Sequence, residues 1–507
     1  MRPQTAVSPG LAAPVRRPRL APVALPPTAQ MLVDGGDSRL ILDPRRGTNK
    51  YGCRPFPDPD LAPFGSSTAS IISEPAFRAA EQLRRRLQHA AAVEPAHVTY
   101  ARELQRLRGD LLRLCGLPRE SGVEIVFAAS GTDLHLIAAQ LAAGAGDRLT
   151  AITVESTETG GGVPTALAGR HFSTSTALGQ SVIDNVSVAG ADAVDVVAVA
   201  GRTADGTLRP ASDVASEVAA RAVAAIDAGS RVLLSLTDVS KTGMLSPGVG
   251  AALELQRRFG GALDVLVDGC QFRLAPATLR AYLAHGFMVA VTGSKFLTGP
   301  AFSGALFVPA GLASRFKDQV LPTGLGAYAA RGEWPASWAG ADRLPELANY
   351  GLLLRWQAAL TELEAFAALA DADVAQFVAE FGGIVQTRLA LDPHFEAVPT
   401  PLVARGAVSP APSWDRLPTI FPFLLRQGSA YVSRSQTELV YTQLGVRHCQ
   451  VGQPVACGRR DGAPVSALRL CLSARLIVQA VAGGRRDAVI AQALSVLDQA
   501  ALVVDRL

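Results

Sequence analysis

The sequence predicts an α/β protein with three parts: a large domain whose mostly parallel sheet is covered by helices, a smaller C-terminal α+β domain, and an extended N-terminal arm. Three observations carry this. Between about residues 122 and 310, short runs of Val, Ile and Leu alternate with Ala-rich helical stretches. Continuous apolar strands separated by helices make a parallel sheet covered on both faces. Beyond about residue 345 the alternation stops, and a long helical run leads into mixed strands. Before it, residues 32–75 are rich in Pro, Gly and Ser yet hold Tyr51, Phe56 and Phe64, which give an extended segment something to bury.

Residues 1–31 carry many prolines and several arginines, and no acid occurs before Asp34, so a disordered tail is expected there. A transit-type peptide and a start at Met31 stay open. Residues 32–95 form the arm and a first helix. "FRAAEQLRRRLQHAA" and "YARELQRLRGDLLRLCGL" have helical apolar spacing and read as two amphipathic helices. The large domain is placed at 96–340. Its strands are "GVEIVFAAS", "RLTAITVES", "DAVDVVAVA", "RVLLSLTDVS", "LDVLVDGC", "GFMVAVTGSK" and "GALFVPA". The C-terminal domain, 341–507, opens with one long helix over about 346–385 and ends with the strand "ALRLCLSARLI" and a last helix.

With 507 residues, 49% hydrophobic and 18% charged, the chain can bury a large core. A net charge of +4 gives no reason to expect nucleic acid or an anionic membrane as partner. No apolar run reaches the roughly 18 residues that span a bilayer. Six cysteines lie scattered without a CxxC pair or zinc-like spacing, which reads as a cytoplasmic protein with reduced thiols and no metal site. There are only four lysines, Lys50, Lys241, Lys295 and Lys317, so any lysine chemistry has four candidates.

In open parallel sheets, ligands bind beyond the carboxyl ends of the strands. Four strand ends stand out. Ser130-Gly131-Thr132 joins a strand to a helix, where backbone N–H groups, two hydroxyls and a glycine make an anion cradle, or a plain helix cap. Asp268 ends a buried strand, where a carboxylate needs a positive partner such as a protonated pyridine nitrogen, or caps the next turn. Lys295 follows a buried strand with Thr292 and Ser294; desolvation there makes a lysine a good carbonyl nucleophile, the alternative being a surface loop. Arg469 alternates with Leu468, Leu470 and Leu472, and its fork suits a carboxylate; Arg475 is a second candidate, and a sheet-edge arginine the alternative. An anion cradle, a strand-end Asp and a strand-end Lys, in that order, are the parts of a pyridoxal-phosphate (PLP) site.

At these residues the sequence resembles the fold-type-I PLP enzymes of the class V aminotransferase group, which includes cysteine desulfurases, selenocysteine lyases and kynureninases. "VDGCQ" is similar to the group's Asp-Gly-Ala-Gln segment, "TGSKFLTGPAFSGALFV" to its Ser-Gly-His-Lys segment, and "FAASGTDLHLIAAQLA" to its phosphate turn and helix. The resemblance implies that Lys295 forms the Schiff base and shuttles the Cα proton, that Asp268 pairs with the pyridinium, and that Gln271 touches the phenolic oxygen. It also implies that Ser130, Gly131, Thr132, Thr292 and Ser294 hold the phosphate, that Ser240 lies near the ring, that Arg469 binds the substrate carboxylate, and that the protein is a homodimer with shared sites.

Departures from the group mark the substrate end. The group stacks a His on the ring; here "VESTETGGGVP" offers only Thr157 or Glu158, the latter a catalytic acid or base or a solvated loop charge. Tyr51 and Asn49 of the arm are candidates for the substrate pocket. Desulfurases carry a mobile loop cysteine before the arginine strand; "GVRHCQVGQPVACGRRDG" holds Cys449 and Cys457 at unclear spacing. The expected activity is transformation of an amino acid at Cα through an external aldimine, with transamination first and β-lyase or desulfurase-type C–S cleavage as the alternative. A non-catalytic scaffold of the same fold is the rival from another class. A Rossmann-type enzyme is disfavoured, since Gly160–Gly162 do not make GxGxxG.

Overall fold

The computed structural model describes residues 24–144, 148–409 and 411–507. Most of the expected tail lies outside the described residues, but its end corrects the expectation. Thr28–Leu32 form a short helix (α1) with Met31 and Leu32 buried, held by apolar packing that a run of prolines hides in the sequence. The arm contributes one short strand, Ala62–Phe64 (β1). The two amphipathic helices follow at Glu74–Ala90 (α2) and Ala96–Leu114 (α3). Ser73 caps α2 through its side chain, and Ala76, Ala80, Leu83 and Leu87 form its buried stripe.

The large domain runs through Glu124–Ala128 (β2), Gly131–Ala143 (α4), Leu149–Val154 (β3), Val163–Leu167 (α5), Val194–Val199 (β4), Ala211–Asp227 (α6) and Arg231–Asp238 (β5). It continues with Leu245–Ser246 (β6), Val249–Phe259 (α7), Leu263–Gly269 (β7), Pro276–Ala284 (α8), Met288–Thr292 (β8), Gly304–Val308 (β9) and Ala310–Phe316 (α9). The sheet order is β2-β9-β8-β7-β5-β3-β4, with β6 paired to β5. From β4 to β8 every main pairing is parallel; β9 runs antiparallel to both neighbours. Every residue of β3, β7 and β8 is buried, as continuous apolar runs require.

The C-terminal part holds Tyr350–Ala367 (α10), Asp371–Leu391 (α11), Phe395–Ala397 (β10), Ile420–Gln427 (β11), Ala430–Tyr431 (β12), Arg434–Val446 (α12), Cys449–Arg460 (β13), Ala463–Cys471 (β14), Ala474–Val481 (α13) and Arg486–Val504 (α14). The single long helix expected over 346–385 is two helices. Ala370 is extended, and Asp371 and Asp373 open α11, where acids favour a helix N-terminus. The small sheet has the order β1-β13-β14-β11-β10, so the arm strand is an edge of the C-terminal sheet, parallel to β13. Among the described residues, α14 alone is long and apolar enough to cross a membrane, although the sequence shows no uninterrupted apolar run; half of its apolar window is buried inside the fold.

Candidate active site

Beyond the carboxyl ends of β5, β7 and β8 lies a cavity of about 580 Å³ walled by the arm, the large domain and the small sheet. The expected cofactor residues Ser130, Gly131, Thr132, Asp268, Gln271, Thr292, Ser294 and Lys295 all face it. So do Thr157, Ser240, Tyr51 and Arg469. Asn49 does not. Its Oδ1 accepts hydrogen bonds from the Tyr51 and Cys53 amides, closing a turn, and it lines a smaller separate cavity. This corrects its assignment to the substrate pocket: Asn is a turn former, and here its side chain is used up locally.

The N-terminus of α4 builds the cradle. Ser130 is the N-cap, its Oγ accepting from the Asp133 amide and donating to the Asp133 carboxylate. A Cβ on Gly131 would lie 2.8 Å from Cys270 Sγ, so only glycine lets the helix start pack this closely on the end of β7. Arg39, which sequence reasoning missed, reaches this spot from the arm. Its Nη1 is 3.3 Å from Thr132 Oγ1 and its Nη2 3.2 Å from Ser130 Oγ, while Asp37 holds the other edge and the Phe302 ring lies 4.9 Å from the guanidinium.

Asp268 is buried at the end of β7, where its Oδ1 accepts from the Cys270 amide. His135, one turn into α4, places Nε2 3.5 Å from Asp268 Oδ2. Burial opposes ionisation of both groups, but their mutual attraction wins. The His135 pKa is raised, and Asp268 is held well below the usual carboxylate range, with the Lys295 charge adding to the effect. Asp268 is therefore an ionised carboxylate at neutral pH.

Lys295 lies three residues past the end of β8 and is half-buried. Among the described residues its amine makes no hydrogen bond or ion pair. Thr292 Oγ1 donates to the Cys270 carbonyl at 2.7 Å, and Ser294 Oγ is 3.4 Å from Thr292 Oγ1. Gln271 donates Nε2 to the Ser67 carbonyl of the arm.

The substrate end is built across domains. Arg469 lies on β14 between β13 and β11, which excludes the sheet-edge reading. It is buried and donates to Lys241 O, Thr68 Oγ1 and Gln453 O, with Nε unpartnered. Arg475 instead pairs with Glu362 and binds the Ile71 and Thr298 carbonyls, so it is structural. Glu158 is not a solvated loop charge. It is buried against Arg202 and accepts from Ser240 Oγ, Thr242 Oγ1 and the Thr242 amide. Ser240 thus faces the cavity with its hydroxyl already committed. Thr157 lines the cavity and is exposed. The aromatic side chains on the wall are Tyr51, Phe172 and Phe302. All six cysteines are free and buried. Cys449 and Cys457 sit in β13, not in a loop, and burial raises both thiol pKa values.

These groups fit PLP. An unpartnered amine, an ionised strand-end carboxylate backed by a histidine, and an anion cradle that a Cβ would fill face one cavity of suitable size.

No protein-family model matches the sequence, and no curated protein matches it. Solved structures do share the fold. The complex of the cystine C–S lyase C-DES with its product cysteine persulfide is 15% identical, with a TM-score of 0.52 over 85% of this chain and 98% of that one. A lysine-to-alanine variant of C-DES with glycine covalently linked to its PLP cofactor is 14% identical, with a TM-score of 0.53 over 86% and 96%. A NifS-like protein is 13% identical, with a TM-score of 0.51 over 86% and 98%. The sheet order, the antiparallel β9 between β2 and β8, and these likenesses agree: the chain has the fold of the fold-type-I PLP enzymes.

Proposed function

We propose that this chain is a PLP enzyme that transforms an α-amino acid at Cα. One observation carries the reading: the partner-free Lys295 amine shares a cavity with the Asp268–His135 pair and the Ser130–Thr132 cradle. Bound PLP would supply an aldehyde that takes up amines and a ring that withdraws electron density from Cα. The chain's own residues do the rest. Lys295 would hold the cofactor covalently and move the proton at Cα. Asp268, ionised, would keep the ring nitrogen protonated. The α4 amides, Thr132 and Ser294 would hold the phosphate, with Gln271 beside the ring. Arg469 orients the substrate carboxylate. Reducing the purified protein with borohydride should bleach its visible absorbance and leave the cofactor on Lys295 by peptide mapping. Absence of any cofactor band, or a label on another residue, would sink the reading.

For the reaction, cleavage of a Cβ–S bond is favoured over transamination. The likeness to a cystine C–S lyase supports it. Within C–S chemistry, elimination is favoured over persulfide carriage, because Cys449 and Cys457 are buried strand thiols. Elimination consumes water and turns an S-substituted cysteine into thiol, pyruvate and ammonium. Equal yields of pyruvate and thiol are expected. A keto acid that keeps its sulfur substituent would assign transamination instead. The motif resemblance also supports a homodimer, which light scattering checks against the chain mass of 52.8 kDa.

A further inference from the structure

Three of the four lysines in the sequence line one cavity. That concentration goes beyond what the cofactor needs. Lys295 is reserved for the cofactor and Arg469 for the α-carboxylate in the reading above. Lys241 is left over. It sits in the turn after β5, and its carbonyl accepts from Arg469 Nη1 at 3.3 Å, so the two cations are joined through one backbone link. Its ammonium donates to the Ser156 carbonyl at 3.1 Å, which leaves two of its three hydrogens for another acceptor.

The acids nearby compensate it only in part. Glu158 attracts it but is ion-paired with Arg202, Asp268 faces His135, and Asp184 on the same wall is exposed to solvent and makes no salt bridge with it. Among the described residues neither Lys241 nor Arg469 makes a salt bridge, whereas Arg39 on the same wall is paired with Asp37. Burial, then the charges of Arg469 and Lys295, pull the Lys241 pKa down to about 8 against the attraction of Glu158. Cations held together with too little anionic charge are costly, and an anionic ligand offsets that cost.

We propose that the substrate is an amino acid whose side chain carries a second acidic group, held by Lys241 while Arg469 holds the α-carboxylate. This rests on the proposed function and adds the substrate class to it. The second acid is a carboxylate, sulfinate or phosphate; Lys241 reads its charge, and the test distinguishes the three.

The test titrates the cofactor-loaded protein with pairs that differ by one charge and follows the visible absorbance. Suitable pairs are S-carboxymethylcysteine against its amide, and aspartate against asparagine; cysteine sulfinate and phosphoserine rank the acid types. We expect the acid of each pair to bind at least tenfold more tightly. In Lys241→Gln the ratio should fall below threefold. Lys241→Arg, which keeps the charge, should retain the preference, as should Lys317→Gln, a lysine outside the cavity. Equal binding of acid and amide by the wild type overturns the inference and leaves the proposed function standing. So does a preference that survives Lys241→Gln, or a Lys241→Gln defect confined to PLP affinity. No absorbance response to any amino acid overturns both.

Discussion

His135 Nε2 stands 3.5 Å from Asp268 Oδ2 and has no hydrogen-bond partner, while its Nδ1 lies 2.7 Å from the Gly131 carbonyl. One helix, α4, therefore presents the anion cradle at its first turn and the partner of Asp268 one turn later. The pairing has a pH signature. Asp268, with its pKa depressed, stabilises the fold above the unfolded carboxylate value, and this is lost as pH falls through the folded one. His135, with its pKa raised, stabilises the fold below the unfolded imidazole value, and this is lost as pH rises through the folded one. In His135→Leu the deficit in unfolding free energy should be largest between about pH 4 and 6.5 and shrink at higher pH. Denaturant melts across pH 4–9 check it; a deficit flat across that range would speak against the pair.

Arg39 should act on the cofactor's phosphate and not on its ring. Arg39→Gln should weaken PLP binding about tenfold or more, since a hydrogen bond to a charged group is worth about 1.5–3 kcal/mol. Binding of pyridoxal, which has no phosphate, should change less than threefold. Fluorescence titration of cofactor-free protein with both compounds measures the difference.

Binding of an acidic amino acid should depend on the Lys241 proton. The ammonium form binds and the neutral amine does not, so affinity should fall about tenfold per pH unit above the free-protein pKa of about 8. The matched amide should not show this fall. In Lys241→Arg the decline should vanish, because a guanidinium stays charged there. Spectral titrations between pH 7 and 9.5 provide the measurement.

Glu158 should matter for stability first. It is buried with Arg202, which also binds Pro399 O and so ties the large domain to the C-terminal part. Glu158→Ala leaves Arg202 buried and unpaired, a change that costs about 3–5 kcal/mol. Thermal or denaturant unfolding checks this; a loss under about 1 kcal/mol would show the pair to be dispensable.

The large sheet was legible because its strands are buried on both faces, so each reads as a plain apolar run. Ser130, Asp268 and Lys295 were legible for a related reason, since parallel topology puts them at one end. What escaped has no period. Arg39 sits in a single 3-10 turn of the arm, Ser38–Leu40, and Lys50, which also lines the cavity, in a loop; only tertiary packing fixes their place. His135 lies on a helix buried on nearly every face and reads as core. Lys241, in "VSKTG", looks like any turn lysine. The segment around Cys449 and Cys457 corresponds by resemblance to a mobile loop, yet it is a strand. Its Gly452 lets Arg469 approach: a Cβ there would lie 2.8 Å from Arg469 Nε.

The pairing of β1 with β13 has a consequence for how the protein is made. Thr68 Oγ1 accepts from Arg469 Nη2 at 3.0 Å across 401 positions, and Ser66 donates to the Leu472 carbonyl across 406. The arm leaves the ribosome first of these segments, and its partners follow some 400 residues later. At about 5–20 residues per second the arm waits roughly 20–80 s for the strands it must join. The α4 cradle, Asp268 and Lys295 emerge well before that. The α4 turn, Asp268 and Lys295 are thus translated well before Arg469, so the cavity gains its last wall only once β14 has emerged and the arm strand has found β13.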